Sequence, residues 1–204
     1  MDATALPRRR GRPPRAPDNH AQTRDHLVRA GVAALTEQGF TATGLDGLLR
    51  AAGVPKGSFY YYFESKEAFG LELIDRYDAY FTAKLEHWLG DVQFPPMRRL
   101  RHFVADAAAG MARHDFRRGC LIGNLGQELA VLPDTYRQAL SAVLASWETR
   151  LATCLADQYG QDTARHYAAF FWTGWEGAVL RARLERSPRP LHLFLDGFEA
   201  MAGQ

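Results

Sequence analysis

Cys120 and Cys154 are the only thiols in the chain, and one of them sits where chemistry is conceivable. Cys120 follows Arg117 and Arg118 and precedes a helix-like stretch from Leu121 to Glu128. Neighbouring cations and the first amides of a helix both favour the thiolate, the reactive form of cysteine. The competing reading is a small buried apolar residue, because free cysteine is among the most buried residue types; spacing alone favours this reading. Cys154 lies in the apolar stripe of its helix and reads as core. A nucleophile, base and orienter built from Cys120, His114 and Asp115 is unsupported. Nothing places His114 within hydrogen-bond reach, and no oxyanion motif accompanies the set. The expectation is no enzyme, no catalytic residue and no cofactor.

Glu176 poses a second chemical question. It stands inside "WTGWEGAVL", where an unpaired buried carboxylate costs several kcal/mol; Arg181 or Arg183 can pair with it, or it can meet a ligand. Trp147, Trp172 and Trp175 can line a pocket with Asn124 and Gln127 as polar anchors, or pack as core, the commoner use of large aromatics at helical spacing. A pocket holding arginine and cysteine would suit a small carboxylate or an electrophile. No metal is expected, since the seven histidines never pair at ligand spacing and none adjoins a cysteine.

A third cluster is "KGSFYYYFESK", residues 56 to 66. On a helical wheel Phe63 falls about 40° from Phe59, Tyr61 about 160° away, and Tyr60 and Tyr62 on the two flanks. The two phenylalanines therefore form a core stripe and the three tyrosines face outward, beside Lys56, Ser58 and the bare backbone at Gly57. Packing on another protein domain would use such a surface, but its helix-turn-helix context favours nucleic acid.

The elements that must position these residues are helical. "DNHAQTRDHLVRAGVAALTEQGF" places Leu27, Ala30, Gly31, Ala34 and Leu35 at helical spacing, with Asp18 as a cap and Gly39 as a stop. Thr43 with Asp46 has the pattern of a second cap, before Leu45, Leu48, Leu49 and Ala52 on one side. Gly53 closes this short helix, Val54 is pushed out of helical geometry by the following proline, and Pro55 opens the next. This is a helix-turn-helix spanning about residues 43–63. Ser65 caps a helix from Lys66 to about Leu89, roughly 36 Å long at about 1.5 Å per residue. After a break over residues 90–97, helices resume at Arg98, and further segments run from Pro133 to Tyr159, Asp162 to Glu185 and Pro190 to Met201. No stretch alternates with period two for long, so the predicted class is all-α.

Composition supports this frame. The size suits a helical module plus a second domain, and no apolar run is long enough for a membrane span or follows a charged start, so a cytoplasmic protein is expected. Net charge is only +2 at pH 7, but residues 1–67 hold ten Lys/Arg against seven Asp/Glu, while the remainder holds fifteen against sixteen. "PRRRGRPPR", residues 7–15, carries five arginines. It reads as a flexible cationic arm for an anionic partner.

"FTATGLDGLLRAAGVPKGSFYYYFESKEAF" (residues 40–69) resembles the amino-terminal domain of the TetR family of transcriptional repressors. The resemblance implies a three-helix DNA-binding domain at 19–65, after an arm at 1–18. It also implies a helical domain at 66–204 that holds a ligand pocket and forms a homodimer through its last two long helices. By position, Thr43, Tyr60, Tyr62 and Lys66 would hold phosphates of double-stranded operator DNA, while Lys56, Gly57, Ser58 and Tyr61 would face the major groove. Gly44 stands where many relatives have serine or threonine, which removes one phosphate contact. Arg10-Gly11-Arg12-Pro13 resembles an AT-hook, in which arginines enter a narrow A·T-rich minor groove.

"RHDFRRGCLIGNLGQELAVLPDTYRQAL" (113–140) and "FFWTGWEGAVLRARLERSPRPL" (170–191) resemble the branch of that family that includes repressors responding to acrylate and to electrophiles such as N-ethylmaleimide. A small-molecule effector and a sensing role for Cys120 are what this implies. In electrophile-responsive relatives a lysine assists the cysteine. The aligned residue here is Arg183, which keeps the charge but cannot act as a neutral amine.

Overall fold

The structure is a computed structural model and describes residues 17–203. Among the described residues every regular element is helical. Helix α1 runs Pro17–Gln38, so it begins before Asp18, which is therefore not the cap expected. It ends where Gly39 takes a positive φ of 79°, a conformation glycine adopts without a side-chain penalty.

The short helices that follow hold one more correction. Helix α2 (Leu45–Ala51) has Gly44 at its N-cap with no side-chain cap bond, and the Thr43 hydroxyl instead donates backwards to the Gly39 carbonyl at 2.5 Å. The local reason is that Gly39, in its left-handed turn, presents a free carbonyl four residues behind Thr43. Gly53, with φ of 64°, turns the chain as expected. A single 3₁₀ turn at Lys56–Ser58 then leads into α3 (Phe59–Tyr62).

Ser65 accepts the Ala68 amide at 2.9 Å and starts α4 (Lys66–Leu89). Helix α5 (Pro96–Ala112) opens two residues before Arg98, with proline at the first position, where a missing amide costs nothing. Helices α6 (Leu121–Gly126), α7 (Asp134–Tyr159), α8 (Gln161–Glu185) and α9 (Arg189–Ala202) complete the chain. Helices α7 and α8 pack along each other, with α4 against α7 and α9 against α8, while α1 lies against α2, α4 and α6. No helix among the described residues is long and apolar enough to cross a membrane.

The core of the larger bundle is aromatic. Trp147 is fully buried, its ring centroid 4.2 Å from Phe81 and 5.3 Å from Trp172, and its Nε1 donates to Asp78 Oδ1 at 2.7 Å. These two tryptophans join α4, α7 and α8 rather than line a pocket. Of the three tryptophans proposed as pocket lining, Trp175 alone borders the cavity between α1, α4, α5 and α8.

Candidate functional site

The first surface is built on the 3₁₀ turn and α3. Phe59 and Phe63 are buried, and Phe69 closes over both at 5.5 and 4.5 Å between centroids. Tyr60 and Tyr61 are about 70% and 71% exposed, as expected of them. Tyr62 is not: it is buried, its ring 4.7 Å from that of His20 in α1. The helical wheel fails here because α3 has only four residues and Phe63 is already extended (φ −138°, ψ 135°). The first turns of α1 then cover the flank that Tyr62 occupies. His20 also stacks edge-on with Tyr61; no signal in the sequence marked it.

Around these aromatics stand the cations. Lys56 pairs with Asp46 at 2.8 Å, with both side chains largely exposed, so the pair ties the turn to α2 while leaving the ammonium at the surface. Gly57 has no neighbour within 4 Å of the position a Cβ would take, which leaves the backbone open to approach. Ser58 is half-buried, Thr43 likewise, and Lys66 is exposed with its ammonium 4.4 Å from the centre of the Phe40 ring. Arg10 and Arg12 lie outside the described residues.

The second site is a cavity of about 410 Å³ between α1, α4, α5 and α8, a volume typical of pockets for small molecules. Its floor is Tyr77, Phe81, Cys120, Trp175 and Val179, all buried. Toward the mouth stand Arg29, Arg76, Lys84, Arg113, His114 and Arg118, and no acidic residue lines it. The acids that balance these cations stand outside the lining: Asp25 for Arg29 and Arg76, Asp106 for Lys84 at 2.6 Å, and Glu37 for Arg118 at 2.8 Å. Burial alone would raise the Asp106 carboxyl, but the Lys84 ammonium holds it below its usual value. An apolar floor under a cationic mouth favours an anion with a small apolar body.

Cys120 is the N-cap of α6, and its sulfur accepts the Gly123 amide at 3.5 Å. The expected cationic activation is absent, because Arg118 faces Glu37 and Arg117 faces Asp115. Burial first, and then the Glu176 carboxylate, push the thiol well above its ordinary value. Glu176 pairs with neither arginine expected for it: Arg181 binds Glu185, and Arg183 donates to Asn124 Oδ1 and to the Glu37 carbonyl, each at 3.0 Å. The open carbonyls at the end of α1 draw Arg183 away. Glu176 Oε1 is left buried without a hydrogen bond, and burial raises its carboxyl.

Asn124 and Gln127 are not anchors of this cavity. Asn124 Nδ2 donates to the carbonyls of Leu35 at 2.9 Å and Thr36 at 3.1 Å, closing the last turn of α1, and Gln127 is exposed. The residue missed in the sequence is Glu128. Its carboxylate accepts the amides of Phe40 at 3.0 Å and Thr41 at 2.7 Å, across 87 residues of chain in the latter case. Its place after "GNLGQ" carried no periodic signal.

Residues 27–73 match the family model described as bacterial regulatory proteins, tetR family. Residues 96–198 match that described as tetracyclin repressor-like, C-terminal domain. The chain is 50% identical over 196 residues to transcriptional regulator AcuR of Cereibacter sphaeroides, covering 93% of this chain and 89% of that protein. It is 31% identical over 177 residues to the HTH-type transcriptional repressor NemR of Escherichia coli K12, covering 83% and 88%. A crystal structure of regulatory protein TetR from Rhodobacter sphaeroides superposes with a TM-score of 0.82 at 48% identity, covering 86% of this chain and 96% of that one. An exposed tyrosine-bearing helix-turn-helix in front of a helical bundle that encloses a cavity is thus accounted for: the chain belongs to the TetR family of bacterial transcriptional regulators.

Proposed function

We propose that the protein is a repressor that binds a palindromic operator as a homodimer and leaves it when a small carboxylate or electrophile, such as acrylate, enters the cavity. The observation that carries the reading is the 410 Å³ cavity with a cationic mouth, no acidic lining residue and a cysteine on its floor. Residues 19–65 are the DNA module and 66–204 the effector and pairing module. Lys56, Gly57, Ser58 and Tyr61 read base edges, while Thr43, Tyr60 and Lys66 hold phosphates. Tyr62 serves the module by packing. Arg10 and Arg12 enter the adjacent minor groove.

Pairing is supported by exposed apolar side chains on the last two helices: Phe170, Leu180 and Leu184 on α8 and Leu193 on α9. A second copy covering them sets the two DNA modules roughly 34–36 Å apart, the distance between successive major grooves. Ligand shifts this spacing only if it binds the released arrangement more tightly. Helix α4 runs from the DNA module to the cavity wall, and α6 offers a second link, with Cys120 at its start and Asn124 holding α1. A gel shift on the operator upstream of the protein's own gene tests the reading. Sequence-specific binding released by acrylate is expected; binding unaffected by every small carboxylate and electrophile tried overturns it.

A further inference from the structure

No lysine or arginine among the described residues pairs with the Glu176 carboxylate. Its Oε2 lies over Gly123, in the space where any Cβ at that position would collide with it, and its Oε1 is buried without a hydrogen bond. The same turn carries Cys120, whose sulfur accepts the Gly123 amide. Glycine at 123 is therefore what lets the carboxylate of α8 reach the thiol at the start of α6. Tyr77 of α4 also reaches the thiol, and both residues line the cavity. The thiol is thus set between a substrate-sized space and a carboxylate.

We propose that Glu176 is the proton-transfer partner of Cys120 in the addition of the thiol to an α,β-unsaturated acid or carbonyl bound on the cavity floor. The inference rests on the effector reading above. As sulfur bonds to the β-carbon, the carbon–carbon π bond breaks and the S–H proton passes to the carboxylate; the α-carbon takes a proton from water in the cavity, and the Glu176 carboxyl gives its own up to water. Glu176 returns to its starting state, and the sum is one thiol added across one double bond, with no oxidant or reductant. Proximity to a base is what this cysteine needs, because its arginine neighbours are engaged elsewhere and burial disfavours a standing thiolate. The raised carboxyl of Glu176 suits a group that must both take and return a proton.

The test follows adduct formation by intact-protein mass spectrometry during incubation with acrylate, with propionate as the saturated control and operator release recorded in parallel. Wild type is expected to gain the mass of one acrylate, and Cys120→Ser none. Glu176→Gln should react at least about tenfold more slowly while still binding operator, and Glu176→Asp should recover part of the rate. In wild type the rate should rise through the pH range of a raised carboxyl and then level, Tyr77 being the other ionisable side chain that meets the thiol and the carboxylate. A Glu176→Gln protein that reacts at the wild-type rate, or a wild-type rate that climbs steadily into the alkaline range of the thiol, overturns the proposal. Operator release by acrylate without any adduct overturns it too, and leaves the effector reading standing; loss of both release and adduct overturns both.

Discussion

Glu128 clamps Thr41: one carboxylate oxygen accepts both the Thr41 amide, at 2.7 Å, and its hydroxyl, at 2.5 Å, while the other takes the Phe40 amide. The loop that launches the helix-turn-helix is thereby held from the segment after α6. Bonds to a charged acceptor contribute more than neutral ones, reduced here by the exposure of Thr41. Glu128→Ala should lower stability by about 1–2 kcal/mol in urea denaturation. It should also weaken operator binding; unchanged affinity would show that the clamp does not position the DNA module.

The three tyrosines should separate into two kinds. Tyr60→Ala and Tyr61→Ala replace exposed side chains, so melting should move little, within about 0.5 kcal/mol, while operator affinity falls. Tyr62→Ala removes a buried ring packed on His20 and should cost about 2–4 kcal/mol before any DNA is added. Fluorescence anisotropy with operator DNA, beside thermal melts, distinguishes the two.

At Gly70 the Tyr136 side chain of α7 lies against the backbone of α4. A Cβ there would strike the Tyr136 hydroxyl, which donates to the Glu67 carbonyl at 3.1 Å. Gly70→Ala should therefore destabilise by about 1–3 kcal/mol despite alanine's better helix propensity. Tyr136→Phe, combined with it, should restore part of the loss in a double-mutant cycle.

Glu176 sets a pH dependence. Its carboxyl is raised in the folded protein, so above the unfolded carboxylate range the unfolded chain gives up a proton that the folded chain retains. Stability should fall as pH rises from that range through the folded value. Glu176→Gln, which cannot ionise, should be more stable than wild type at neutral pH, and the difference should vanish in acid. Denaturation midpoints across pH check the sign.

Removing residues 1–15 deletes five arginines. Operator affinity should fall, and its logarithm should depend less steeply on the logarithm of salt concentration, because fewer counterions are released on binding. Equal slopes for the full and shortened chains would exclude the arm from DNA contact.

Local pattern and tertiary demand divide cleanly at particular residues. The helices, the glycine stops at Gly39 and Gly53, and the Ser65 cap were legible, because they depend on neighbours within a turn or two. So was the inward pair Phe59 and Phe63. Thr43 was misread because a carbonyl left free by Gly39 competed for its hydroxyl. Tyr62 was misread because a wheel assumes a helix longer than four residues and knows nothing of α1 lying alongside.

An all-helical chain, a helix-turn-helix with tyrosines at its tip, and a cysteine and a glutamate in need of explanation all follow from local spacing. What surrounds those residues follows from the packing of helices. It gave Arg183 to the end of α1, Arg118 to Glu37 and Trp147 to the core, and it left Glu176 against Cys120. Those pairings join residues that are distant in the chain, and such a choice is made by which helices pack together: a carbonyl or carboxylate brought close by packing outcompetes the partner that spacing along one helix suggests.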